Sequence, residues 1–269
     1  MPLDRAMHTQ DGASVAALDL NGPQGQTKRG RLKIRREAFL DQHSAAEDWC
    51  NRHFSAATLS LWQVAAPLTR RYARGTVLDA GSGRGAWRNV IASSAREYHS
   101  IDIGPRGDHE PTWIGDICDM GQVPDGAYDS VVCHQVLEHV REPHRAMAEM
   151  ARVLKPDGHL VISVPHLSRR HELPHDYFRF TQEGMDYLAR KSGLQVEVLR
   201  THGGCLSFLH HQASTLIPGV FLGVRGLDCL LVAANAPLSY LCMAADAVVD
   251  RGALMPLGVV MVACKGPLP

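Results

Sequence analysis

The chain has 269 residues, with 28 Lys and Arg against 28 Asp and Glu, 45% hydrophobic residues and seven cysteines. Balanced charge gives no reason to expect a nucleic-acid footprint, and the length suits one main domain with additions. Seven cysteines without a Cys-x-x-Cys pair suit free thiols in a reducing compartment, and the start lacks a basic segment followed by a sustained apolar core, so a cytoplasmic location is expected.

Residues 1–32 read as a flexible basic leader, with Lys28, Arg29 and Arg31 opening a cationic run that extends to Arg36. A single domain over 33–269 follows. Residues 37–73 predict two helices that cover a cofactor mouth, with Phe39, Trp49, Phe54, Leu61, Trp62 and Leu68 on their apolar stripes. Thr76–Ala80 is a short apolar strand carrying Asp79, and it turns through Gly81, Gly83 and Gly85 into a helix. Glycines here remove the Cβ atoms that would hold a ligand off the backbone. The G-x-G-x-G spacing differs from the dinucleotide fingerprint G-x-G-x-x-G, but Ala86 could replace its last glycine, so the loop alone leaves a nicotinamide cofactor open. A helix with Trp87, Val90 and Ile91 on one face leads to the strand Glu97–Asp102, which ends on an acid where a ribose-binding carboxylate is expected. Thr112–Asp116 ends on another. Tyr128–His134 is a fourth strand running into Gln135-Val136-Leu137-Glu138-His139-Val140, and Pro143 opens the next helix, which stops at Gly158. A fifth strand, His159–Pro165, a helix from about Gln182 to Gly193 and a sixth strand, Leu194–Val198, complete a core over 76–200. Such alternation implies a parallel, doubly wound α/β sheet.

In this order the motifs resemble the class I S-adenosylmethionine-dependent methyltransferases, in their broad small-molecule group. The group carries a D-x-G-x-G-x-G loop, an acid after the second strand, a Gly-Asp pair after the third and a V-L-E-H-V turn after the fourth, here Asp79–Gly85, Asp102, Gly115-Asp116 and Val136–Val140. Arg152–Gly158 is similar to its helix stop before the fifth strand. The match runs from about residue 76 to 165, and a nicotinamide enzyme would not predict its later parts. The resemblance implies a Rossmann-like seven-stranded sheet, mostly parallel, closed by an antiparallel last strand at 257–264. It also implies S-adenosyl-L-methionine as cofactor. Asp79 would then orient the methionine amino group, with Gly81, Gly83 and Gly85 admitting the methionine moiety. Asp102 would hold the ribose hydroxyls. Asp116 would accept from the adenine amine, with the Ile117 backbone nearby and Ile103 flanking the ring. His134 would lie beneath the transferable methyl.

The loop after the fifth strand is rich in reactive side chains. It contains His171-Glu172-Leu173-Pro174-His175, a literal H-E-x-x-H, but Pro174 removes a helix donor and restricts Leu173, so a one-face zinc site is not expected. The stretch His175–Thr181 resembles the acceptor-side loop of methyltransferases linked to sugars, glycans and secondary metabolites. Catalytic candidates are His134, His175 and Tyr177, and acceptor-binding candidates are His139, His166, His171, Asp176 and Arg179. His139, His166 and His171 are also candidate bases by position. Gln135-Val136-Leu137-Glu138-His139 is similar to the Glu-x-x-Glu-His of ubiquinone-pathway and small-RNA end methyltransferases, which hold a divalent ion. Gln135 replaces the first carboxylate, and a neutral amide is a weaker ligand for a hard cation, so no metal ligands are assigned.

Between the last two strands lies an apolar insertion, 205–250, with helix candidates at 206–224 and 227–249 that Pro218, Asn235, Pro237, Ser239 and Asp246 interrupt. A spanning helix needs about 20 predominantly apolar residues. A helical lid or homodimer face is favoured, and peripheral membrane or lipid contact stays open. The expected function is methyl transfer to a small-molecule acceptor without nucleic acid, at a hydroxyl of a sugar, glycan precursor or secondary metabolite. The alternatives are N-methylation, a non-catalytic cofactor-binding partner subunit, and a membrane-surface protein.

Overall fold

The computed structural model describes residues 55–221, 227–250 and 254–266. The basic leader, the first predicted helix with Phe39 and Trp49, and Phe54 lie outside the described residues. The second predicted helix is α1, Ala56–Tyr72, where Ser55 caps the start by accepting from the Thr58 amide and Arg70 and Arg71 sit at the negative end of the dipole.

Seven strands form one sheet: β1 (Thr76–Ala80), β2 (Glu97–Asp102), β3 (Trp113–Ile114), β4 (Tyr128–His134), β5 (Leu154–Pro165), β6 (Leu194–His202) and β7 (Gly258–Lys265). Their order is β3-β2-β1-β4-β5-β7-β6, and only β7 runs antiparallel to its neighbours. The order reverses direction between β1 and β4, so the carboxyl ends of these two strands flank the crevice where ligands of open α/β sheets bind. All five residues of β1 are buried, as expected for a strand covered on both faces.

Alternation along the strands splits the core in two. One layer packs Leu78, Val131, Cys133, Leu160 and Ile162 against α3 (Pro143–Val153) and α4 (Gln182–Lys191). The other packs Val77, Val132, Val161, Val260 and Val262 against α1 and the short α2 (Arg88–Ala92), where Trp62 and Trp87 stack at 4.1 Å. Pro143 opens α3, and Thr181 caps α4 by accepting from the Gly184 amide at 3.0 Å. The sixth strand runs to His202, four residues past its expected end, because β7 supplies a partner along that whole length.

The insertion folds as two helices, α5 (Cys205–Phe221) and α6 (Leu227–Val249). The residues expected to interrupt them do not. α6 continues through Pro237, and its polar residues make the joint between the helices. Asp246 accepts from the Leu206 and Ser207 amides at 2.8 Å each, Asp250 accepts from the Cys205 amide at 2.8 Å, and Ser239 meets His210 at 3.0 Å. Two carboxylates from the end of α6 therefore satisfy the orphan donors that start α5. Among the described residues no helix is long and apolar enough to cross a membrane.

Candidate active site

The glycine loop sits at the carboxyl end of β1. Gly81 (φ 77°) and Gly83 (φ 56°) are left-handed, and they differ in what a side chain would meet. A Cβ on Gly81 would run into Val136, whereas one on Gly83 would enter open space. Gly83 thus faces the crevice. Its amide donates to Asp102 Oδ2 at 2.8 Å, and Ile103 donates to Oδ1 at 2.8 Å. A carboxylate offers about four acceptor positions, so two remain for a ribose diol. Asp116 is exposed, with Oδ1 held by the Cys118 amide at 2.8 Å. Ile103 is 70% exposed at the tip of β2, as a side chain waiting for a flat ring would be, while Ile117 is buried.

Asp79 is buried and accepts from the Tyr98 hydroxyl at 2.9 Å. Burial raises its pKa from 3.8 to about 7, against the lowering effect of Tyr98 and with a further push from Asp102. The Tyr98 hydroxyl is itself held well above its usual range by burial and by Asp79. A buried carboxyl in this state is matched to a cationic ligand, since a nearby ammonium favours its charged form. The resemblance did not assign Tyr98; its alternation with Ser100 on the neighbouring strand is the only signal in the sequence.

His134, expected beneath the methyl and as a base, is locked in place. Thr69 Oγ1 donates to the Ala65 carbonyl at 2.8 Å, so it must accept from His134 Nε2 at 2.9 Å. Nδ1 then accepts from Ser163 at 2.9 Å, and Ser163 accepts from Gln135 at 3.2 Å. Trp87 packs on the ring at 4.0 Å, and burial lowers the pKa to about 3. An imidazole with both nitrogens committed and its proton disfavoured by burial is poorly placed to act as a base. Gln135 turns the same way, toward Ser163 and away from Glu138.

The loop 166–181 returns over the turn that follows β4, with Tyr177 and Phe178 donating to the Glu138 carbonyl at 2.9 and 3.3 Å. Asp176 and Arg179, expected to bind the acceptor, serve the loop itself. Their side chains pair at 2.6 and 2.8 Å, Asp176 accepts from the His171 amide at 2.9 Å, and Arg179 also donates to the Arg169 carbonyl. Residues 171–175 form a turn, so His171 and His175 share no helix face. His175 Nδ1 lies 3.0 Å from the Tyr177 hydroxyl, which accepts from Arg141 at 3.1 Å, and all three are outward. His171 turns inward instead. Its Nε2 comes within 3.1 Å of His139 Nε2, and both stand 3.7 Å from Glu138 Oε1. Burial disfavours a proton on His171, yet Glu138 and then Asp176 outweigh it and the net pKa rises. His166, at the end of β5, keeps a buried Nδ1 without a hydrogen-bond partner among the described residues.

Where α1, β6 and α5 meet, His202 lies 2.9 Å from Ser60 of α1, and burial holds His202 at about 3 and His211 of α5 at about 4. These imidazoles are neutral. Neither was singled out from the sequence, since only the fold brings α1, β6 and α5 together. A cleft of about 430 Å³ bordered by Arg71, Arg74, Arg96 and Lys155 lies at the amino ends of the strands and shares no residue with the crevice.

A family model described as a methyltransferase domain matches residues 43–214. The chain belongs to this family. The methyltransferase domain accordingly uses S-adenosyl-L-methionine, and the open Gly83 face, the exposed Ile103 and Asp116, and the buried Asp79 fit that cofactor. The chain is 30% identical over 137 residues to a demethylmenaquinone methyltransferase from Clavibacter sepedonicus, covering 46% of this chain and 56% of the relative. It is 29% identical over 126 residues to a ubiquinone biosynthesis O-methyltransferase from Xanthomonas oryzae pv. oryzae, covering 42% and 50%. It spans about half the length of these curated relatives. A SAM-dependent methyltransferase from Archaeoglobus fulgidus shares the fold, with a TM-score of 0.50, 15% identity and coverage of 80% of this chain and 97% of that one.

Proposed function

We propose that this chain transfers the methyl of S-adenosylmethionine to an oxygen of a small hydroxylated acceptor, without nucleic acid. The observation that carries the reading is the placement of Glu138, His139 and His171. A buried carboxylate and two imidazoles face one another beside the β4 turn, next to the end of the crevice where the methyl would be presented. The bound cofactor supplies an activated methyl, so the protein has to align an acceptor and accept one proton. A hydroxyl needs such a proton acceptor, and the cluster offers one.

The apolar helices α5 and α6 and the neutral His202 and His211 suit a ring-bearing acceptor with an apolar body. The relatives named for menaquinone and ubiquinone pathways support that choice over a simple sugar, while a glycan precursor or secondary metabolite keeps the same chemistry. The test is to incubate purified protein with the cofactor and matched panels of phenols, sugar alcohols and amines, with S-adenosylhomocysteine release as readout. Turnover on phenolic or other hydroxyl acceptors is expected; turnover confined to amines would replace this reading with N-methylation. Tyr177→Phe and His175→Ala should reduce turnover several-fold with cofactor affinity nearly unchanged, and equal losses in both would assign the loop to cofactor binding.

A further inference from the structure

At the amino ends of the parallel strands, the opposite end of the sheet from the cofactor crevice, three side chains of metal-binding type converge. His159 stands on β5, Cys264 on β7 and Glu197 on β6. β7 lies between the other two strands, and its Cys264 pairs in register with His159 on one side and Gln195 on the other. Residues paired across a sheet point to the same face, so His159 and Cys264 share the face on which Val260 and Val262 pack toward α1.

Glu197 joins them through an irregularity of β6. Val196 pairs with Ala263 and Val198 with Val262, so Glu197 is an extra residue with no partner of its own on β7. A bulge of this kind re-aims a side chain. Here Val198 keeps the core position against Val262, and the Glu197 carboxylate reaches over β7 until Oε2 stands 3.5 Å from His159 Nε2. Neighbouring strands are about 4.8 Å apart, so side chains from β5 and β6 meet only by leaning across the short Cys264 between them. Tyr72 of α1 packs on the His159 ring with centroids 5.2 Å apart, which limits how the imidazole can turn.

The result is a tripod of nitrogen, oxygen and sulfur whose atoms all lie within 4.8 Å of one another. Zinc holds imidazole nitrogen and carboxylate oxygen at about 2.0–2.2 Å and thiolate sulfur at about 2.3 Å, so ligands at tetrahedral angles stand about 3.4–3.6 Å apart. The nitrogen and oxygen already have that separation, and the sulfur closes on an ion with side-chain movements of about 1 Å. The His159 and Glu197 side chains are 29% and 41% exposed, which leaves a path for an ion to enter. A pair so exposed adds little to stability by itself and makes no use of the thiol beneath it.

We propose that His159, Glu197 and Cys264 form a binding site for one divalent ion of the zinc class, with a fourth position left to solvent. Thiolate and imidazole select such an ion over magnesium or calcium, which take oxygen ligands. The thiol proton leaves to solvent as the ion binds. Bound there, the ion fastens β5 to β6 across β7 and ties the antiparallel pair at the edge of the sheet to its parallel core. Neither cofactor binding nor the proposed methyl transfer enters this argument.

The experiment uses the untagged full-length chain, kept reduced, stripped with a chelator and titrated with Co²⁺ while its absorption is followed. One equivalent is expected to give ligand-field bands together with a thiolate-to-cobalt charge-transfer band, and Zn²⁺ should abolish both. The charge-transfer band is the signature, because the other such cluster among the described residues, Glu138, His139 and His171, contains no sulfur. Cys264→Ser should remove that band. His159→Ala and Glu197→Gln should each weaken Zn²⁺ binding at least about 100-fold, more than the loss of an outer partner produces. Their side chains are half-exposed, so these two variants keep the test decisive should Cys264→Ser fail to fold. S-adenosylhomocysteine affinity should stay unchanged in all three, since the cluster lies at the far end of the strands. Zinc should also slow amide hydrogen exchange over 194–198 and 259–264. The proposal is overturned by the absence of stoichiometric Co²⁺ or Zn²⁺ uptake, or by a charge-transfer band that persists in folded Cys264→Ser and so belongs to another cysteine. Uptake without that band, unaffected by His159→Ala and lost in His171→Ala, would overturn it equally.

Discussion

Asp79 links the electrostatics of the crevice to cofactor binding most directly. Burial moves its carboxyl from 3.8 to about 7, so the ligand-free protein holds it half protonated near neutrality. At about 1.4 kcal/mol per pH unit, that displacement is about 4 kcal/mol between the two protonation states. Because the pKa is higher in the folded chain than in the unfolded one, this carboxyl favours folding while protonated. The contribution is complete below pH 3.8 and lost as pH rises through about 7. A cofactor ammonium beside the carboxylate reverses the preference, so binding below pH 7 must remove a proton from Asp79. Affinity for S-adenosylmethionine should then fall by up to about tenfold per pH unit well below the pKa, or about sixteenfold between pH 7, where Asp79 is already half protonated, and pH 5.5, equal to about 1.6 kcal/mol. Above about pH 8 an α-amino group loses its own charge, which limits the useful range. Calorimetry in two buffers of different ionisation enthalpy measures both the affinity and the proton released. Asp79→Asn should bind more weakly at pH 7.5, show a nearly level profile and release no proton. The ligand-free variant should be more stable than the parent at pH 8 but not at pH 4. A level profile in the unaltered protein, or the full slope in the Asn variant, would refute the reasoning.

Gly83→Val should abolish binding of both S-adenosylmethionine and S-adenosylhomocysteine in a folded protein, because its Cβ enters the open crevice from a left-handed backbone; retained binding on calorimetry would move the cofactor elsewhere. His134→Ala should cost about 2–4 kcal/mol in urea unfolding, since it leaves a gap under Trp87 and breaks the hydrogen bonds to Thr69 and Ser163. An unchanged stability with lost turnover would restore His134 as a base. Leu241 and Val248 of α6 are 65% and 81% exposed, and apolar patches of this kind mark contact surfaces. Leu241→Asp with Val248→Asp should shift a dimer to monomer in sedimentation or reduce vesicle binding; no change in either would confine α6 to packing within the chain.

The backbone geometry of the crevice at the ends of β1 to β3 was legible in the sequence because it is built from local chemistry. The left-handed glycines 81, 83 and 85 and the acids at or beside the ends of β1, β2 and β3 follow from neighbouring residues, and Asp79, Gly83, Asp102 and Asp116 therefore appear in order along one stretch. Helix starts at Pro143 and at about Gln182 were legible for the same reason. The side-chain arrangement around the β4 turn and the loop 166–181 depends on contacts between distant segments. His134 looked like a catalytic imidazole until the fold placed Thr69 against one nitrogen and Ser163 against the other. Asp176 and Arg179 looked like ligands for an acceptor until they were found paired with each other. The prolines and polar residues of the insertion looked like helix breakers, but Ser239 and Asp246 are satisfied by α5, which no reading of α6 by itself could supply. His171 and Glu138 are 33 positions apart, and nothing local brings them together. Backbone geometry and strand-end chemistry belong to the sequence. Which buried polar groups compensate one another is decided only when the chain closes on itself, because compensation acts through distances of about 3 Å that sequence separation does not encode.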